Sequence, residues 1–166
     1  MAAGDCVLQP PRIRHRVLES SDGFEVVEIG CPALHQTLAD HDMDLPTGRL
    51  APDRDFSGQR FLHSVAAATP WLADGGFERR GTGMREATGG LADAFVLRPA
   101  SERRFAAPAH SAELLFGFLL DGSCVLDHDG DHPLASGDAF VIPPDGVWGL
   151  REASTDLQVL QVVVGR

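Results

Sequence analysis

Cysteine is scarce in this chain. Cys6, Cys31 and Cys124 are an odd number, far apart, with no CxxC spacing, which argues against a disulfide framework and for a reducing compartment, the cytoplasm. No run approaches the ~20 apolar residues of a membrane span. The opening MAAGDC has neither the basic region nor the apolar stretch of a secretory signal. Positive charge is in deficit, with 14 Lys+Arg against 24 Asp+Glu and a net charge of −10, which argues against nucleic acid or an anionic membrane as partner. No Ser-His-Asp order, phosphate loop or dinucleotide fingerprint occurs. GTGMREATGG is glycine-rich but lacks the spacing and the lysine of a phosphate loop. Long amphipathic helices are also missing.

What the chain does hold is glycine, proline and short apolar runs. Gly 18 and Pro 11, 29 of 166 residues, favour many strands and turns, and an apolar fraction of 43% suffices for one packed core. One segment also occurs twice. GDCVLQPPRIRHRVLESSDGFEVVEI from Gly4 aligns without a gap on GDAFVIPPDGVWGLREASTDLQVLQV from Gly137, an offset of 137 − 4 = 133. Seven of the 26 positions are identical, and apolar positions coincide elsewhere, as Phe24 with Leu157 and Ile29 with Val162. The chain therefore reads as the end of one unit followed by a whole second one.

The pattern predicts strands over 5–9, 13–18 and 24–29, with a turn at Ser20 to Gly23. Residues 38–58 carry the breaker clusters ADHDMDLPTG and APDRDFSG and read as irregular linker, with a short helical turn over 37–40. From Arg60 onward the signals are all β. Strands are expected at 62–66, 92–99, 113–120, 123–128, 138–144, 146–152 and 157–164, with turns at Asp121-Gly122 and Asp129-Gly130. Residues 69–80 read as a loop whose Trp71 plugs one end of the core. Strands this closely spaced imply a sandwich or barrel.

These residues resemble the cupin superfamily. The family's second signature, G(X)5PXG(X)2H(X)3N, is followed in spacing by Gly4, Pro10, Arg12, His15 and Glu19, with departures at Arg12 and Glu19. The resemblance covers about 80% of the chain and implies an all-β fold, the cupin double-stranded β-helix or jelly-roll barrel. The expected division is 1–36 as the C-terminal remnant of a first cupin unit, 37–59 as linker and 60–166 as the barrel. The family's first signature, HXH(X)3,4E(X)6G, anchored on Gly122, implies a ligand set of Pro108, His110 and Leu115. The offset from His15 adds Trp148. One histidine among four positions is too few for a divalent ion, so a degenerate metal site is expected. Glu113 would be a substitute ligand if the strand slipped by two. His15 matches its motif better, but its partners would come from a segment before Gly4 or from another chain.

The resulting expectation is a metal-free barrel that binds a small molecule, or a dimerising structural unit, with a pocket of His110, Glu113, Phe116, Phe118, Phe140 and Trp148. The alternative is a metal-dependent cupin enzyme of dioxygenase or isomerase type, using Fe, Mn, Ni or Zn held by His15 or His110. Residues 5–29, with unpaired strand edges, imply a homodimer by strand exchange or edge pairing. His128 and His132 in HDGDH read as hairpin-tip residues. His35 and His41 read as surface histidines, and His63 as a satisfied strand histidine. Arg14 or Arg16 facing an anionic substrate is the less favoured reading of an exposed strand face.

Overall fold

The structure is a computed structural model that describes residues 1–32, 36, 38–44, 48, 51 and 53–165. Two antiparallel sheets make up its body. The strands of the smaller sheet are β8 (Phe105–Ala107), β10 (Ser123–Asp127), β11 (Asp131–Ala135) and β13 (Trp148–Arg151), in the order β11-β10-β13-β8. The larger sheet contains β5 (Leu72–Asp74), β6 (Phe77–Gly81), β7 (Ala92–Pro99), β9 (Leu114–Asp121), β12 (Ala139–Ile142) and β14 (Gln158–Val164). Its order is β12-β9-β14-β7-β6-β5.

Period-two alternation decides which side chains enter the space between the sheets. On β9, Leu115, Gly117 and Leu119 are buried, while Leu114, Phe116 and Phe118 turn to the other face and are only partly covered. The same parity sends Phe95 and Leu97 of β7, Val159 of β14, and Phe140 and Ile142 of β12 inward. The facing sheet contributes Cys124, Leu126, Trp148 and Leu150. Burying each of these large side chains stabilises the fold by about 1.5–3 kcal/mol.

The chain crosses between sheets at Asp121-Gly122, since β9 and β10 lie in different sheets. Gly122 sits at φ 74°, and a β-carbon there would stand 2.7 Å from the Leu157 amide nitrogen. Only glycine fits this crossing without strain. Asp129-Gly130 is a hairpin tip joining β10 to β11, with Asp127 opposite Asp131.

The N-terminal part behaves differently. β1 (Cys6–Leu8) pairs antiparallel with β4 (Leu62–Ser64), and β2 (Arg14–His15) pairs parallel with β3 (Leu38–Ala39). The strand expected over 24–29 does not form. Phe24 and Val26 are 54% and 66% exposed, because among the described residues no strand pairs with them. Leu38–Ala39, part of the expected helical turn, is strand instead. Residues 69–80 are not one loop, since β5 and β6 form a hairpin there. Trp71 does not plug the core. Its ring lies 4.7 Å from the Arg80 guanidinium and 4.0 Å from that of Arg98. The one α-helix among the described residues is a single turn, α1 (Met84–Ala87).

Candidate functional site

β8 ends at Ala107 and β9 begins at Leu114, and the loop between them carries Pro108, His110 and Glu113. The Asp145 amide donates to the His110 carbonyl at 2.8 Å, which ties this loop to the turn before β13. His110 is half-buried, and both of its ring nitrogens are closed off from solvent with no hydrogen-bond partner among the described residues. A buried polar atom without a partner costs roughly 1–3 kcal/mol. The loop therefore holds its imidazole in an unsatisfied state.

Between the sheets a run of aromatic rings packs the interior. Phe77 meets Phe105 at 5.3 Å between ring centroids, Phe105 meets Trp148 at 5.7 Å, and Trp148 meets Phe140 at 5.6 Å. Such tilted contacts are favourable beyond the area they bury. Leu115 is 3% exposed, and so is Trp148. Two further inward-facing polar atoms lack a partner, Trp148 Nε1 and Gln161 Oε1. Gln161 was not singled out from sequence, although its parity with Val159 and Val163 on β14 marks it as inward-facing.

The expected pocket residues do not line one cavity. Phe140 and Trp148 pack inside the barrel. Phe116 and Phe118 lie on the opposite face of β9, where Phe116 packs with Ala94 and Val162. Glu113 is exposed and leans on Gly165, where a β-carbon would come within 2.7 Å of its Cγ. Of the six, His110 borders an opening of ≈ 540 Å³, lined also by Arg85, Gly90, Ala109, Ser111, Ala112 and Gly165. Arg85 and Ser111 escaped the sequence reading, because nothing in MREAT or AHSAE marks them as neighbours. A second opening of ≈ 460 Å³ lies outside the smaller sheet, near Gly76, Glu102 and Arg104.

The remaining histidines have structural partners or stand apart. His15 lies on β2, outside both large sheets, with Nδ1 buried and without a partner among the described residues. His63 Nε2 is 3.1 Å from the Asp5 carboxylate. His128 Nδ1 is 2.9 Å from the Val147 carbonyl oxygen, and His132 Nε2 is 3.0 Å from that of His128, so both brace the hairpin. Arg151 pairs with Asp127 and Asp131 of the same hairpin. His41 is exposed, and its carbonyl accepts from Arg16, whose second terminal nitrogen donates to the Met43 carbonyl. Arg14 is exposed, and His35 lies outside the described residues. The three cysteines are free. Burial pushes the Cys124 thiol up to about 11, which makes it a poor nucleophile.

No protein-family model and no curated protein sequence matches the chain. Solved structures do match. KdgF from a Halomonas species is similar with a TM-score of 0.54 and 19% identity, over 62% of this chain and 94% of that one. An RmlC-like cupin from Shewanella frigidimarina gives 0.53 and 18%, over 62% and 89%. A predicted oxalate decarboxylase from Thermotoga maritima gives 0.50 and 16%, over 62% and 98%. The fold is the cupin barrel.

In a cupin barrel the implied metal positions can be tested against their occupants. Pro108 is exposed and offers no ligating side-chain atom. Leu115 and Trp148 fill the interior with carbon and one indole N–H, which is a donor only. Among the described residues no three His, Cys, Asp or Glu side chains come together as a metal-binding group. The residues at the four positions implied by the resemblance, Pro108, His110, Leu115 and Trp148, do not fit a divalent ion, which needs about three or four N, O or S ligands.

Proposed function

We propose that this cupin barrel binds a small organic molecule at its mouth without a resident metal, with His110 as the central polar contact. The observation that carries this reading is the His110 imidazole, enclosed without a partner beside a cavity of ≈ 540 Å³. That volume lies within the usual range of small-molecule sites. The packed aromatic interior directs a ligand to the mouth rather than the barrel centre. The test is a small-molecule screen by thermal shift on chelator-treated protein. The expected result is a compound that raises the melting temperature of the wild type and not of His110→Ala. Hits that appear only after loading Fe, Mn, Ni or Zn would instead favour the enzyme reading.

That second reading has one observation behind it. Among the described residues His15 Nδ1 is buried without a partner, as a ligand awaiting donors from another chain or segment would be. Elemental analysis giving about one ion per chain, lost on His15→Ala, would establish it.

We also propose that the protein self-associates. Val17, Leu18, Phe24 and Val26 are all more than half exposed on one N-terminal arm. The arm repeats the sequence of β12 through β14, and thus the apolar pattern of strands that pair within a cupin sheet. The acidic surface and free thiols fit a cytoplasmic protein that does not bind nucleic acid.

A further inference from the structure

We propose that the mouth cavity is a carboxylate site, in which Arg85 supplies the charge and Ser111 and His110 supply hydrogen bonds to a small organic acid. This rests on the ligand reading above and adds the chemical class.

Among the described residues Arg85 is the only charged one lining the cavity, in a chain of net charge −10. Other arginines have work to do. Arg151 is paired with Asp127 and Asp131, and Arg98 with Glu78. Arg103 donates to the Ala153 carbonyl, and Arg80 lies over Trp71. Among the described residues the Arg85 side chain has no ion pair, hydrogen bond or ring contact, and only its backbone carbonyl is engaged, by the Gly90 amide and the Thr88 hydroxyl. Asp93 on β7 feels the Arg85 charge; its carboxyl is pushed up by burial, an effect partly offset by the Ala94 amide and by Arg79 and Arg85. Asp93 does not line the cavity and does not pair with Arg85 within 4.0 Å, so the guanidinium fork stays open.

The other lining residues supply geometry. A neutral imidazole has one N–H and one acceptor nitrogen, and a serine hydroxyl donates freely. Because the His110 nitrogens have no partner, turning the ring toward a ligand breaks no hydrogen bond. Gly90 and Gly165 lie at φ 89° and φ 88°, where larger residues are strained, so these walls stay small. One guanidinium fork with two neutral donors matches a planar carboxylate, which arginine grips in bidentate fashion. A phosphate dianion calls for more positive charge than one arginine, and among the described residues no second cation lines the cavity.

The experiment is a titration of the ¹⁵N-labelled full chain, following the amides of Gly90, Ser111 and Gly165. Probes are benzoate and succinate, their neutral amides, and inorganic phosphate. The expected result is saturable shifts with a carboxylate and none with its amide. Arg85→Met should weaken that binding on the order of tenfold to a hundredfold, with the rest of the spectrum unchanged. Equal response to the neutral amides, untouched by Arg85→Met, overturns the carboxylate assignment and leaves the ligand reading intact. Response to phosphate in place of the carboxylates also overturns it. Silence toward every carboxylate does the same, and the ligand reading is then decided by its own screen.

Discussion

The Phe140 ring lies directly against the backbone of Gly117, its register partner across β12 and β9, and a β-carbon at 117 would overlap the ring. The bare glycine lets an aromatic side chain lie down inside the barrel. Gly117→Ala should therefore cost about 1–3 kcal/mol, the usual penalty of overpacking. A urea midpoint equal to that of the wild type would show that Phe140 has room to move aside.

Metal should leave stability unchanged. A ligand bound only by the folded state raises the melting temperature by mass action. With Leu115 and Trp148 in the interior, Zn, Ni, Mn or Fe at a hundred-micromolar scale should not shift the transition, and chelation should not lower it. A metal-dependent rise that disappears in His110→Ala would reveal donors outside the described residues.

Acid should release the N-terminal strand before it unfolds the barrel. The Asp5 carboxylate accepts from the Ala2 and Ala66 amides at 2.9 and 3.0 Å, and it also faces His63. These contacts, the two backbone bonds first, lower its pKa from 3.8 to about 2. A depressed folded pKa means that the stabilisation is complete above the ordinary value and is lost as pH falls through the folded one. Hydrogen exchange at Val7 and His63 should accelerate as pH drops from 3.8 toward 2, after correction for the intrinsic rate. Asp5→Asn should remove that dependence. If the variant keeps the wild-type pH profile, the carboxylate is not the clasp.

Changing the arm should change the mass of the particle. Phe24→Asp with Val26→Asp places charge on the exposed apolar face of residues 17–29. If copies associate through it, light scattering should report a dimer for the wild type and a monomer for the double variant, with barrel stability unaltered. A wild-type monomer at every concentration tested would end the self-association proposal.

The turn residues and the apolar alternation made much of the barrel legible from sequence. The strand expected at 92–99 matches β7, and those at 113–120 and 157–164 lie within one residue of β9 and β14. Their long apolar runs and bounding turns are local signals. Short strands were harder to see. β8, β5 and β11 have three to five residues each, and Gly, Pro or charge at their ends conceals them. Parity on β9 was also readable in principle. It separates Phe116 and Phe118 from Leu115, although the expected pocket mixed Phe116 and Phe118 with inward-facing Phe140 and Trp148.

The sequence by itself determined the class of fold, through period-two apolar runs broken by Gly, Pro and Asp, and it determined which side-chain types stand at 108, 110, 115 and 148. Tertiary structure decided what those side chains meet. Alternation assigns a residue to a face but does not say what covers that face. The pattern shared by 24–29 and 157–162 thus gives an exposed arm in one place and a central strand in the other, because only the second has β9 and β7 on either side. The same holds for Arg85, which lies 25 residues before His110 and lines the same opening with it once the chain is folded.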